Sequence, residues 1–229
     1  MLIENISGVY GRIEAAAYKA GRKTDDIRLI AVSKTVGLHI VRMGIEAGLL
    51  DLGESKVQEA REKIGAIRSF MPHKNITWHM IGHLQRNKTK AAVGLFDIIH
   101  SVDSEALLSE IDKEAKKSVK IQRVLIEVKL SDEKAKHGIS KDALGGLLDY
   151  AAKLKNVSII GLMTVPPYFE DPEGSRPYFR ELRLIRDKME EAGYKLPQLS
   201  MGMTGDFEVA IEEGATMVRV GTAIFGERV

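Results

Sequence analysis

The sequence predicts an α/β protein: a single (β/α)8 (TIM) barrel preceded by one extra helix. Three observations lead there. Eight short runs rich in Val, Ile, Leu and Met recur along the chain, and each but the last is followed by a clear segment with apolar residues at helical spacing. Alternation at this pitch implies parallel strands, because a parallel return needs a crossover connection. Eight such units within 229 residues fit the size of a closed barrel. A doubly wound open sheet shares the alternation, so closure is the point the pattern leaves open. No linker, repeat or low-complexity stretch interrupts 1–229, and one domain is the simplest expectation.

The elements follow in order. Residues 3–20 carry Ile6, Val9, Tyr10, Ile13, Ala16 and Ala17 on one helical face, and Gly21 ends the helix. Strand one covers 27–32 and stops at Ser33-Lys34-Thr35. A helix over 39–47 ends at Gly48. Leu50-Asp51-Leu52-Gly53-Glu54 reads as a short strand and turn, and 57–67 as a helix. Strand three, 77–81, closes at Gly82. A helix over 84–96 contains the basic residues Arg86, Lys88 and Lys90. Strand four is 98–102, with Asp103-Ser104 capping a helix to about Lys117. Strand five is 124–128, followed by a polar loop over 131–138 and a helix from Ser140 to Leu154. Strand six, 157–163, leads into the stiff Val165-Pro166-Pro167 loop and a helix over 178–192. Strand seven is 199–203, a short helix spans 206–213, and strand eight, 217–220, ends at Gly221-Thr222.

Composition narrows the function. The chain is 44% hydrophobic and 29% charged, which is ordinary for a globular protein. It has no cysteine, so disulfides, thiolate catalysis and Cys-ligated metal are excluded, and a reducing, cytoplasmic location is expected. No signal peptide and no transmembrane run is legible. A net charge of +2, with both signs interspersed, gives no reason to expect nucleic acid. No surface motif points to a protein partner.

Active sites of such barrels lie at the C-terminal ends of the strands. Lys34 sits just past the end of strand one, where partial desolvation favours the neutral amine, a nucleophile toward aldehydes. Ser200-Met201-Gly202-Met203-Thr204-Gly205 and Arg219-Val220-Gly221-Thr222 end strands seven and eight, the two places where barrels commonly bind phosphate. Glycines there let backbone N–H groups approach phosphate oxygens, and Ser200, Thr204 and Thr222 add hydroxyls. Arg219 has inward parity, opposite to Val218 and Val220, and a buried arginine needs an acceptor. An amine, a phosphate turn and an arginine on one rim suit an aldehyde phosphate. Pyridoxal 5′-phosphate (PLP) leads; a Schiff-base sugar-phosphate aldolase would need the same parts and a further acid or base.

The same residues carry a resemblance. Ala31-Val32-Ser33-Lys34, Gly53-Glu54 with Val57-Gln58-Glu59, the run Trp78 to Gln85 with Asn87-Lys88, His100-Ser101-Val102-Asp103, Lys136 with Gly138, Gly161-Leu162-Met163-Thr164, Ser200-Met201-Gly202-Met203, Asp206-Phe207-Glu208 and the run Arg219 to Gly226 together resemble the pyridoxal phosphate homeostasis protein family, single-domain relatives of the alanine racemase barrel. The resemblance implies a PLP fold-type III barrel without the second domain. It implies PLP as a Schiff base on Lys34, Arg219 facing the pyridine nitrogen, and Ser200, Gly221 and Thr222 around the phosphate. Met201, Thr204 and His79 complete the expected cofactor-binding set, with His79 as a core or rim hydrogen-bonder.

An arginine that can only donate keeps the pyridine nitrogen unprotonated and the ring a poorer electron sink. The resemblance therefore implies a carrier or regulator of vitamin B6 and amino-acid pools rather than an enzyme, with a weak racemase as the alternative. Expected partners are PLP and PLP-dependent apo-enzymes, with no nucleic acid, no membrane, and a monomeric or weakly dimeric chain. The sequence departs from the family at Ser55 and Lys129, where Asn is usual, and at Thr204, where Ser is common. Six histidines are present, but His79 and His83 are separated by a strand-to-turn break and no HExxH occurs, so no metal site is expected.

Overall fold

The computed structural model describes residues 1–131, 133 and 137–226. Lys136, one of the residues behind the resemblance, lies outside the described residues. Helix α1 (Leu2–Lys19) leads. It is followed by β1 (Arg28–Val32), α2 (Leu38–Glu46), β2 (Asp51–Glu54), α3 (Val57–Phe70), β3 (Thr77–Met80), α4 (Thr89–Leu95), β4 (Ile98–Val102), α5 (Glu105–Lys117) and β5 (Gln122–Glu127). Then come α6 (Leu144–Ala151), β6 (Val157–Met163), α7 (Arg176–Glu191), β7 (Gln198–Met203), α8 (Phe207–Glu212), β8 (Met217–Val220) and α9 (Thr222–Phe225). The strands are all parallel and in sequential order, and β8 pairs with β1 through Ile30↔Arg219 and its neighbours. The barrel is closed, which removes the open-sheet alternative.

Apolar side chains fall into two sets, as alternation along each strand requires. Ala31, Leu52, Trp78, Met80, Ile99, Val124, Leu162, Leu199, Met201, Val218 and Val220 face outward and are buried under the helices. A smaller plug of Ile30, Ile98, Leu125, Met163 and Met217 fills part of the barrel interior. Among the boundaries that differ from the sequence expectation, two helices begin later. The helix expected over 84–96 is a 3-10 turn at Arg86–Lys88 followed by α4, and the one from Ser140 is a 3-10 turn at Lys141–Ala143 followed by α6. Apolar spacing over one turn does not separate the two helix types. The last strand also has its helix, the single turn α9.

Helix α1 is tied to the C-terminal part of the chain. Its Ile6, Val9, Ile13, Ala16 and Ala17 are buried, and it packs on α8 and α9. Asn5 donates its side-chain amide to the Ile224 carbonyl (3.0 Å), and Arg12 pairs with Glu208 (2.6 Å). Beyond the helix, Arg22 donates to the carbonyls of Ile211 and Ala215 at 2.9 and 2.8 Å. The extra helix and its tail thus brace the two segments that follow β7 and β8.

Gly161 of β6 stands opposite Gln198 of β7. A Cβ there would lie 1.9 Å from the Gln198 carbonyl oxygen, which is backbone and cannot swing aside. Gly161→Ala should destabilise the protein by about 3 kcal/mol, the upper end of overpacking costs. A urea midpoint unchanged from the parent would refute this.

Candidate cofactor site

Lys34 is held on a turn built beneath it. Ser33 is buried and Lys34 half-buried, and Thr35 has φ 63°, a left-handed conformation rare outside glycine. Glu54 has the outward parity of Leu52, so its carboxylate lies between β2 and α3. There Lys63, on α3 and 7% exposed, donates to Glu54 Oε1 (2.6 Å), to the Ser33 carbonyl (2.6 Å) and to Glu59 Oε1 (3.1 Å). Ser33 donates its hydroxyl to Glu54 Oε1 at 2.7 Å, and the Thr35 amide donates to Glu59 Oε1 at 2.5 Å. Burial pushes the Glu54 carboxyl up, and the Lys63 hydrogen bond opposes it. For Glu59 burial also works upward, but the Thr35 amide and Lys63 outweigh it and hold that carboxyl below its usual value. Ser33, Glu54, Glu59 and Lys63 therefore fix the strained turn.

Arg219 is 4% exposed at the inner wall. It donates to the Ser200 hydroxyl (2.6 Å) and the Thr164 carbonyl (2.9 Å). Below it runs a chain of hydrogen bonds through the barrel: Ser200 to His100 Nδ1, His100 Nε2 to His79 Nδ1, and His79 Nε2 to Asp51, each 2.9 Å. The proton positions follow from the two ends. Arg219 can only donate and the Asp51 carboxylate can only accept. Ser200 accordingly accepts from Arg219 and donates to His100, and each neutral imidazole carries its proton on Nε2. Burial pulls both imidazoles down, His100 well below its usual value, so both are neutral at pH 7. Burial also lowers the Arg219 guanidinium to about 10, which leaves it charged. Ser200 and Thr164 occupy two of its five N–H donors, leaving others for a ligand.

The turns after β7 and β8 complete the wall. Gly202 has φ 90°, and a Cβ there would meet Ala210 Cβ at 2.6 Å and Phe207 Cα at 2.9 Å, so this close, left-handed turn requires glycine. The Gly221 amide donates to the Thr204 hydroxyl at 3.2 Å, tying the two turns together. The first-turn amides of α9 have no acceptor within the helix.

Lys34, Arg219, Thr204, Gly205, Gly221 and Thr222 line one cavity of about 1320 Å³. Ser55, Gly82 and the Pro166-Pro167 loop with Tyr168 form more of its wall. An amine, a donor-only cation and a hydroxyl- and glycine-lined corner in one cavity fit an aldehyde, a ring nitrogen and a phosphate. Three residues of the expected cofactor set, Ser200, His79 and Met201, do not line this cavity. Ser200 lies beneath Arg219, and His79 lies deeper in the barrel, because inward parity in a closed barrel leads to the core below the rim. Met201 has outward parity and packs under the helices. Of the basic stretch, Lys88 and Lys90 line a separate shallow cavity of about 550 Å³ with Arg61.

The alanine racemase N-terminal domain model matches residues 11–229. A pyridoxal phosphate homeostasis protein from Aquifex aeolicus is 46% identical over 226 residues, covering 98% of this chain and 97% of its own. The chain belongs to the pyridoxal phosphate homeostasis protein family. The Escherichia coli K12 member is 35% identical over 233 residues, with 99% and 97% of the two chains covered. PipY of Synechococcus elongatus, solved with PLP bound, superposes with a TM-score of 0.87 at 32% identity, covering 99% of this chain and 100% of that one.

Two of the family departures are now located. Ser55 is on the cavity wall and Thr204 bonds the Gly221 amide, whereas Lys129 is not among the lining residues. Reading the sequence as a family member still misses Lys63, Glu59 and His100 as supports of the site. Each acts through another residue: the i,i+4 spacing of Glu59 and Lys63 on α3 marks that pair, but their reach to Ser33, Thr35 and Glu54 is tertiary, as is the His100 contact with Ser200. Glu127 was missed too. It ends β5, is 8% exposed, and its carboxyl is pushed up to about 7 by burial and by Asp103, against the opposing pull of Arg219.

That shift carries a prediction. Glu127 gains a proton on folding anywhere between its usual value and about 7. Its contribution to stability is complete below the unfolded pKa and is lost as pH rises through about 7. The parent should lose about 2–3 kcal/mol more than Glu127→Gln between pH 5 and pH 8. Parallel denaturation curves for the two proteins across that range would contradict the assignment.

Proposed function

We propose that this chain binds PLP reversibly and serves its intracellular homeostasis, with Lys34 as the attachment point and no catalytic turnover. The observation that carries this reading is the meeting of Lys34, Arg219 and the Thr204 and Gly221-Thr222 turns in one cavity. Bound PLP supplies an aldehyde that condenses with amines and a ring that draws electrons from them. Lys34 Nζ would form the covalent link to the carbonyl carbon with loss of water, on a turn set by Ser33, Glu54 and Lys63. Thr204, Thr222 and the backbone amides beside them would hold the phosphate. Arg219, held in place by Ser200 and Thr164, would donate to the ring nitrogen. Always charged and able only to donate, it would keep that nitrogen unprotonated and so damp carbanion chemistry.

The names and bound cofactor of the relatives support the same reading, and the cysteine-free composition suits a cytoplasmic protein. No helix among the described residues is long and apolar enough to cross a membrane. Transfer to PLP-dependent apo-enzymes from a monomer or weak homodimer fits the role. The test is the visible spectrum after incubation with PLP, before and after borohydride, with peptide mapping. A yellow protein bleached by borohydride, with the pyridoxyl group on Lys34, is expected; a protein that stays colourless and unmodified overturns the reading. With saturated cofactor in deuterium oxide, added amino acids should gain no deuterium at Cα. Exchange there would make the chain an enzyme of the racemase type.

A further inference from the structure

On the same rim, but formed by residues the cofactor reading does not use, His83, Asp103 and His137 come together. They belong to the segments that follow β3, β4 and β5, and are separated in sequence by 20 and 34 positions. One ligand atom from each lies within 4.8 Å of the others. The two imidazoles stack face to face, with centroids 3.7 Å apart and planes 11° from parallel. Both histidines are exposed and Asp103 is half-buried, so this contact is not imposed by a core packing around it.

We propose that His83, Asp103 and His137 form a binding site for a divalent transition ion of the zinc class. Two imidazole nitrogens and one carboxylate oxygen are a borderline donor set, which suits Zn²⁺, Co²⁺ or Ni²⁺ and disfavours Ca²⁺ and Mg²⁺. Bonds of about 2.0–2.1 Å to a tetrahedral ion place its ligands roughly 3.3–3.5 Å apart. The cluster reaches that spacing by turning exposed side chains, with the backbone where it is. The stacked pair must open in doing so, because parallel rings cannot both aim their nitrogen lone pairs at one ion. Three protein ligands leave the fourth position to water or to a small anionic ligand, the arrangement of an open zinc site. The ion would join three successive strand-to-helix connections beside the cavity mouth, where Gly82 and Glu133 already contribute to the wall. Nothing in this inference depends on PLP binding.

Cobalt is the probe, because its visible absorption reports tetrahedral nitrogen–oxygen coordination. The full chain, untagged and freed of cofactor, is titrated with Co²⁺ alone. The expected result is a saturable spectrum at one ion per chain, displaced by Zn²⁺ and retained in Lys34→Ala. Asp103→Asn and His137→Ala should each weaken binding by at least about tenfold, while circular dichroism and PLP loading stay at parent levels. His39→Ala and His73→Ala, at histidines outside the cluster, should leave it unchanged. A featureless titration, or binding of equal strength in His137→Ala and the parent, overturns the site.

Discussion

Lys34→Ala should fold as the parent does and lose all borohydride-fixable pyridoxal. Lys34 is half-buried on a turn whose supports are backbone groups and the side chains of Ser33, Glu54, Glu59 and Lys63. Truncating it beyond Cβ leaves those bonds intact, so the stability change should stay within about 1 kcal/mol. The covalent link has no substitute. Arg219 cannot act as an amine nucleophile, and Lys63 is committed to three acceptors below the turn. Reversible binding through the phosphate corner and Arg219 should persist at reduced affinity, giving the spectrum of the free aldehyde. Mass spectrometry after reduction is the measurement. A stoichiometric adduct on another lysine, with the same spectrum as the parent, would remove Lys34 from its role.

Lys63→Met should be the most damaging change at the site that leaves every cavity-lining side chain in place. Glu54 is fully buried, and its Oε2 already has no hydrogen-bond partner among the described residues. Removing the ammonium leaves that carboxylate uncompensated, at a cost of about 3–5 kcal/mol. The loss should shrink at low pH. Burial already pushes the Glu54 carboxyl up, and without Lys63 it moves further, so protonation relieves the variant as pH falls. Adding Glu54→Gln should recover much of the stability, because a neutral amide has far less to lose by burial. It should not recover the cofactor. The Ser33 carbonyl and Glu59 would still lack their tether, and a displaced Lys34 turn should weaken PLP binding by about ten- to a hundredfold. If the single variant matched the parent in urea midpoint and PLP affinity, the cluster would be incidental to the site.

Much of this site was legible in order along the chain. The strand before Lys34 and the glycine-rich ends of β7 and β8 announce themselves by alternation and by turn residues, which are local properties. Arg219 has inward parity in the sequence, and the structure places it at the inner wall. Parity does not give depth. His79 and Ser200 point inward as expected of their positions, yet they meet His100 and Arg219 below the cavity instead of facing a ligand. Met201 points the other way, under the helices.

Local patterns give a parallel α/β chain of eight units, the lysine just past its first strand, and the two turns that suit a phosphate. These follow from side-chain periods of two and 3.6 residues and from glycine, all read within a few positions. Closure of the sheet, and which residues then meet, came from the packing of the whole chain. Ser200 bonds His100 across 100 positions, Lys63 reaches Ser33 across 30, and α1 reaches α9 across more than 200. Such pairs are set by the stagger and curvature of a closed barrel, which place distant strand ends at one height. No local pattern encodes that geometry.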